Sequence, residues 1–478
     1  MADWSPPENE VASVSAAKVL ATTAVAIILA LRCRRLDELH LRPSSHDVRM
    51  RWNDSIRTKG TGLAVALLLL AGGLRAQHLA YGAERERAYI PELKGKRVAL
   101  VAHAASLADG EHTVDRFLRR GIDVRFVFTP EHGFRGTASA GEKVDATRDS
   151  ATGLKLVSLY GSHRKPTAED LDSIDVVVYD LQDLSIRFYT YVSTLVYVME
   201  ACAEHGKRLI VLDRPTPFAG VVDGPILDTA QHRSFVGLHP VPVLYGLTSG
   251  EYAQMAKGEG WVRGADSLDL QVVSMANYHR ERRYPLAPPS PNLATPHAID
   301  WYPSLCFFEA TDVSVGRGTE HPFEVYGAPW WGDSTFGFVP QSRVGASTPP
   351  HEGDTCYGVD LRSVPSPQGI DWRPLWDAAH RYDSLTLADS LMLHQPFYRS
   401  FLQRLAGTSS LGQALDEGWT PEQFRTWYQQ DLMRYQFARM RYLLYEERAE
   451  ERDLPVREPE PAVKTSPQNR RKRIKSRR

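Results

Sequence analysis

From Arg97 the apolar positions form short unbroken stretches, separated by segments in which they recur at helical spacing. Residues 98–102, Val-Ala-Leu-Val-Ala, are apolar throughout, as a strand buried on both faces requires. Val114, Phe117 and Leu118 then recur at helical spacing. Residues 124–128 read as a second strand, stopped at Thr129-Pro130 because proline has no N–H to give the ladder. A third strand is expected over 154–159 and a fourth over 174–179, where Asp175 leads into Val-Val-Val-Tyr. Residues 191–205 set Val192, Leu195, Val196, Met199 and Ala203 on one helical face, closed by Gly206. Residues 208–212 form the next strand. The alternation predicts an α/β fold: a Rossmann-like, doubly wound, mostly parallel sheet.

Past residue 290 the texture changes. Pro288, Pro289, Pro291 and Pro296 mark a crossing segment, and Gly-, Trp- and Pro-rich loops follow up to Pro350. Thr420-Pro421-Glu422-Gln423 is a capping box with proline at the first helical position. Phe424, Trp427, Tyr435, Met440 and Leu444 supply the apolar spacing of a long terminal helix. The expected division is an amino-terminal extension over 1–76, a Rossmann-like catalytic domain over 92–299, a smaller α+β domain over 303–448 and a disordered basic tail over 449–478.

The extension holds two apolar runs. Arg51, Arg57 and Lys59 precede the run 63–71, and small residues then lead to Gln77, the pattern of a secretory signal peptide. That run is too short to span a bilayer comfortably; the alternative is an uncleaved anchor. A second run, 19–31, is closed by Arg32, Arg34 and Arg35, and Met50 stands as an alternative start before the better signal. The expectation is an exported protein of the periplasm or cell envelope, or one secreted, with a mature start near Gln77. Any membrane contact is expected through the amino-terminal segment alone, if uncleaved.

Composition narrows the chemistry. With 42% hydrophobic residues, 24% charged residues and a formal net charge of -1, no global field points to nucleic acid. Cys33, Cys202, Cys306 and Cys356 are far apart with no CxxC pair, which argues against a zinc ribbon and leaves room for one bridge among the last three. The first strand runs into His103-Ala-Ala-Ser106 rather than a G-x-G-x-x-G turn, so a dinucleotide is disfavoured. There is no Walker loop, no H-E-x-x-H and no G-x-S-x-G elbow. No cofactor and no metal are expected.

What remains is a surplus of carboxylates where doubly wound sheets bind ligands, beyond the carboxyl ends of the strands. Glu131, Glu142, Asp180 and Asp183 are candidates to converge there. Glycoside hydrolysis uses a carboxylic acid to protonate the leaving oxygen and a second group at the oxocarbenium-like centre. The catalytic candidates are Glu131, Glu142 and Asp183. For each there is a plainer reading: Glu131 as a helix cap or partner of Arg135, Glu142 as a surface pair with Lys143, Asp183 in a salt bridge with Arg187. His103, His132, Arg187, Tyr189, Asn292 and Arg317 are the substrate-binding candidates, with Arg317 between two glycines suited to a carboxylate. Asp213-Arg214-Pro215 reads as structural.

These residues stand in a series of motifs. In order they are Thr129-Pro-Glu-His-Gly-Phe-Arg-Gly136, Ala140-Gly-Glu-Lys-Val144, Ser158-Leu-Tyr-Gly161 with Arg164-Lys-Pro166, and Asp180-Leu-Gln-Asp183 with Arg187-Phe-Tyr-Thr-Tyr191. Leu212-Asp-Arg-Pro215, Gly224-Pro225, Ser290-Pro-Asn292, Phe308-Glu-Ala-Thr311 and Ser314-Val-Gly-Arg-Gly-Thr319 follow. The set resembles the bacterial exo-β-N-acetylmuramidase family NamZ, over roughly residues 97–445. The resemblance implies two domains with the site in the cleft between them, and release of N-acetylmuramic acid from the non-reducing ends of peptidoglycan fragments (MurNAc-GlcNAc, muropeptides) in cell-wall turnover or recycling. It implies Glu131 as the catalytic glutamate, with Arg317 or Arg187 at the lactyl carboxylate. The chain departs from the family pattern at Ala102-His103-Ala104-Ala105, where an amide is usual. That departure is the support for a second reading, a peptidoglycan-binding protein that does not hydrolyse.

Overall fold

Six parallel strands form the central sheet of the computed structural model, which describes residues 78–131, 133–134, 148–332, 334–388 and 396–446. The amino-terminal apolar runs, His132, Glu142 and the basic tail lie outside the described residues. In chain order the strands are β1 (Arg97–Ala102), β2 (Asp123–Thr129), β3 (Lys155–Ser158), β4 (Val176–Asp180), β5 (Arg208–Leu212) and β6 (Leu270–Val273), arranged β6-β5-β4-β1-β2-β3. The order reverses between β1 and β4, the topological switch point of a doubly wound sheet. Sequence expectation and structure agree on this architecture, with the third strand trimmed to four residues.

The unbroken apolar runs have a direct cause. Alternate residues of β1 enter two different cores: Ala99 and Val101 face one, Val98, Leu100 and Ala102 the other. Val177 and Tyr179 of β4 divide from Val176 and Val178 in the same way. A strand with two dry faces has no place for a polar residue. The second core is closed by α1 (Thr113–Arg119) through Val114 and Phe117. The first is closed by α2 (Tyr191–Glu204) and α3 (Ser249–Gly258) and continues into the carboxy-terminal part through Trp301, Phe307, Trp372, Trp376 and Phe424.

That part begins with α4 (Pro296–Leu305), capped by the Thr295 side chain. It contains the antiparallel sheet β7 (Val325–Ala328), β8 (Gly337–Phe338) and β9 (Cys356–Asp360), ordered β7-β9-β8. Helices α5 (Arg373–Ala388), α6 (Phe401–Ala406) and α7 (Pro421–Arg439) follow. The Thr420 box is formed as its sequence implies, with Thr420 and Gln423 capping one another and Pro421 opening α7. From His78 onward the chain clusters as one compact unit. Cys202, Cys306 and Cys356 are buried free thiols.

In two respects α7 departs from its reading. It ends at Arg439, with Met440–Tyr442 in a 3-10 turn and Leu444 beyond it. Phe424 and Tyr435 are buried as expected, but Trp427, Met440 and Leu444 are 43%, 60% and 38% exposed, and Met433 and Phe437 are 58% and 79% exposed. Helical spacing fixes which residues share a face; it does not say whether anything covers that face.

Candidate active site

The cavity at the carboxyl edge of the sheet is about 350 Å³ and is built from segments remote in sequence. Strand β2 ends where Pro130 has no N–H, and the next residue, Glu131, is half-buried at the cavity wall. The Thr190 hydroxyl donates to its carboxylate at 3.3 Å. Tyr160, two residues past β3, lines the cavity near Glu131; burial first, and then that negative charge, push the phenol up so that it stays protonated. The loop after β4 supplies Phe188, Tyr189, Thr190 and Tyr191. Tyr189 donates to the carbonyl of Pro289 at 3.0 Å, pinning the proline-rich crossing segment beside the cavity.

The opposite side comes from later in the chain. Glu309 and Arg317 both line the cavity and pair at 2.5 Å. Arg164 lies over the ring of Phe235, 4.5 Å from its centroid, and both face the cavity. Phe401 and Arg404 of α6 complete the wall. Arg404 is exposed and has no ion pair among the described residues. The cavity therefore offers two carboxylates, three guanidinium groups and several aromatic faces, a set that suits a sugar carrying an acid group.

Of the residues singled out from sequence, Glu131, Tyr189 and Arg317 meet at this cavity. His103, Asp183, Arg187 and Asn292 are not among its lining residues. His103 accepts from the Gln182 backbone N–H at 2.9 Å and meets Tyr191 edge-on at 5.0 Å, so it braces a cavity residue from behind. Asn292 donates to the Gly345 carbonyl at 2.8 Å. Arg187 is buried and donates to the carbonyls of Pro225, Val241 and Leu405, and burial with no counter-charge pulls its pKa down to about 9. Gly407 makes room for it: a Cβ there would stand 2.7 Å from Arg187 Nη2, and its φ of +74° disfavours any other residue.

Asp183 is sealed in the same way. Its carboxylate accepts from the Tyr245 hydroxyl and the Ser185 N–H, its second oxygen has no partner among the described residues, and burial pushes it up to about 6. Asp180 holds Arg214 through two contacts of 2.6 and 2.9 Å, both side chains fully out of solvent. Asp213 accepts from Thr248, Gly250 and Tyr445. Tyr160, Arg164, Phe235, Glu309, Phe401 and Arg404 were not singled out from sequence. The first two and Glu309 stand inside the recurring motifs; Phe235, Phe401 and Arg404 reach the cavity only through the fold. Among the described residues no group of three His, Cys, Asp or Glu side chains is placed to hold a metal ion.

Two family models match the chain in succession. Residues 98–297 match the family model described as exo-beta-N-acetylmuramidase NamZ, N-terminal, and residues 301–445 match its C-terminal counterpart. A curated relative, peptidoglycan beta-N-acetylmuramidase NamZ of Bacillus subtilis (strain 168), is 34% identical over 381 residues, covering 75% of this chain and 89% of the relative. Two crystal structures of DUF1343 family proteins from Bacteroides fragilis NCTC 9343 are similar. One has a TM-score of 0.70 at 37% identity, covering 78% of this chain and 100% of the other. The second has a TM-score of 0.66 at 28% identity, covering 77% and 99%.

Proposed function

The chain belongs to the exo-β-N-acetylmuramidase NamZ family, a glycosidase acting on peptidoglycan, and on that premise we propose that Glu131 is its general acid. The substrate is a peptidoglycan fragment, MurNAc-GlcNAc or a muropeptide, and the bond broken is the β-1,4 link after the terminal N-acetylmuramic acid. The observation that carries this reading is the surroundings of Glu131: a carboxylate at a strand end, facing a cavity with aromatic walls and guanidinium groups. A volume of about 350 Å³ sits at the small end of ligand sites, room for one amino sugar rather than a strand of them.

Glu131 delivers a proton to the leaving glycosidic oxygen, and the Thr190 hydroxyl, with Tyr160 nearby, holds its carboxylate in place. Glu309, paired with Arg317, faces the same space and opposes the positive charge that develops on the ring. Arg164 and Arg404 are the groups suited to the lactyl carboxylate, because Arg317 already has a carboxylate partner. Phe235, Tyr160 and Phe401 take the apolar faces of the sugar.

We also propose export to the periplasm or cell envelope, supported by Arg51, Arg57 and Lys59 ahead of the apolar run 63–71. Amino-terminal sequencing of the protein from culture tests this, and a start far upstream of Gln77 refutes it. The activity is tested by p-nitrophenol release from the β-N-acetylmuramide and the β-N-acetylglucosaminide, for wild type and Glu131→Gln. The expected outcome is muramide-selective turnover, reduced on the order of 10²–10⁴-fold in the variant with its melting temperature kept. Full turnover by Glu131→Gln refutes the assignment.

A further inference from the structure

The outer face of α7 has no role in the cleft, and its composition is unusual for solvent. Met433, Phe437 and Met440 are 58%, 79% and 60% exposed. At 3.6 residues per turn Met433 and Phe437, with Met440 at the C-cap, fall within about 60° of one another, roughly opposite the core-facing Phe424, Tyr428 and Tyr435. Leu444, 38% exposed, lies just beyond. From Leu432 to Tyr445 there is no acidic residue, while Arg434 and Arg441 flank the stripe. Their partners, Asp431 at 3.0 Å and Glu259 at 2.7 Å, make exposed pairs of the kind that hold a guanidinium weakly.

Where the chain enters and leaves adds a second observation. Leu79, near the start of the described residues, packs on the small core that contains Tyr445, near their end. The portion of the chain that follows Tyr445 therefore departs from the stripe's end of α7. It contains residues 470–478, of which seven are Lys or Arg and none acidic. The 25 residues from Glu446 to Arg470 span at most about 90 Å, long enough for the basic run to meet a surface on which the stripe rests.

We propose that the outer face of α7, carried by Met433, Phe437 and Met440, docks on the surface of an anionic phospholipid bilayer. Apolar side chains entering the interface, with arginines beside them and a basic run following, are the combination that binds such surfaces. Among the described residues no helix is long and apolar enough to cross a membrane. A second copy of the chain is the weaker occupant: four side chains expose on the order of a few hundred Å², against ~800 Å² per partner in a standard interface.

The test is vesicle flotation of the full-length protein, wild type against the double variant Phe437→Ser, Met440→Ser. Vesicles of phosphatidylcholine alone are compared with vesicles containing phosphatidylglycerol. Measured as a partition coefficient, binding by any other segment multiplies both proteins alike and cancels in the ratio. The expected result is a loss of about tenfold or more in the variant on the anionic vesicles, with turnover of a soluble muramide unchanged. An equal coefficient for the two proteins overturns the proposal. So does a wild-type dimer in sedimentation that the variant abolishes while the coefficient stays the same, which assigns the face to a second copy.

Discussion

Glu131 and Asp183 leave the same edge of the same sheet, one after β2 and the other after β4, and only one of them faces open space. Glu131 is half-buried at the cavity with two hydroxyls beside it. Asp183 is roofed over, because the chain beyond β4 folds back on the strand ends: the Arg187 N–H donates to Val243 and the Tyr245 N–H to Ser185. Asp180 and Asp213 share its fate, taken up by Arg214 and by the Thr248 turn. A carboxylate at the productive edge of a parallel sheet is available to a substrate only where the following loop turns away. Elsewhere the same edge is where the fold ties its loops together.

The widest separation between the two classes is expected in what their loss changes. Glu131→Gln removes rate, on the order of 10²–10⁴-fold, and leaves the unfolding midpoint in place. Arg214→Ala leaves Asp180 buried without its counter-charge, and breaking such a pair costs about 3–5 kcal/mol. Urea unfolding checks it: a large fall in midpoint, with near-normal turnover by the fraction still folded, keeps the classes distinct. Lost turnover in a fully folded Arg214→Ala protein breaks the comparison.

Asp183→Asn reads the difference through pH. Burial raises Asp183 and Asp213 to about 6, so between about pH 4 and 6 the folded protein holds protons that unfolded carboxyls, near 3.9, have released. Their contribution to stability is full below the unfolded value and is lost as pH rises through 6. At about 1.4 kcal/mol per unit, each accounts for roughly 3 kcal/mol across that window. Asn carries no charge to bury, so the variant's stability is expected to fall less steeply from pH 4 to 7, as urea midpoints at several pH values will show. An unchanged slope places the titration elsewhere.

Much of this was legible in the chain. The sheet was readable because strands buried on both faces leave unbroken apolar runs, and the start of α7 because a capping box is a local signal. Glu131 was readable because proline stops β2 just before it. Availability was not, since it depends on what Tyr245, Val243 and Leu405 do more than fifty residues away from Asp183 and Arg187. Phe235, Phe401 and Arg404 left no local mark for the same reason. The exposed stripe of α7 shows the converse limit: its period is as regular as that of a buried face.

The arginines repeat the contrast at smaller scale. Arg187 sits between aspartate-rich and aromatic motifs and looked suited to a carboxylate, yet three backbone carbonyls take its donors and it lies out of the cavity. Arg404, from a helix with no motif, faces the cavity with no acidic partner among the described residues. If availability decides function here as it does for the carboxylates, Arg404→Ala weakens capture of a substrate that carries a lactyl acid and spares one that lacks it. A charge-assisted hydrogen bond at a partly exposed site is worth about 1.5–2 kcal/mol, so KM for the muramide rises on the order of tenfold with kcat nearly constant. Turnover of the glucosaminide, however slow, stays at its wild-type level. Equal losses on the two substrates give Arg404 a packing role in the cavity wall and leave the lactyl group to Arg164, which the matching substitution there then tests.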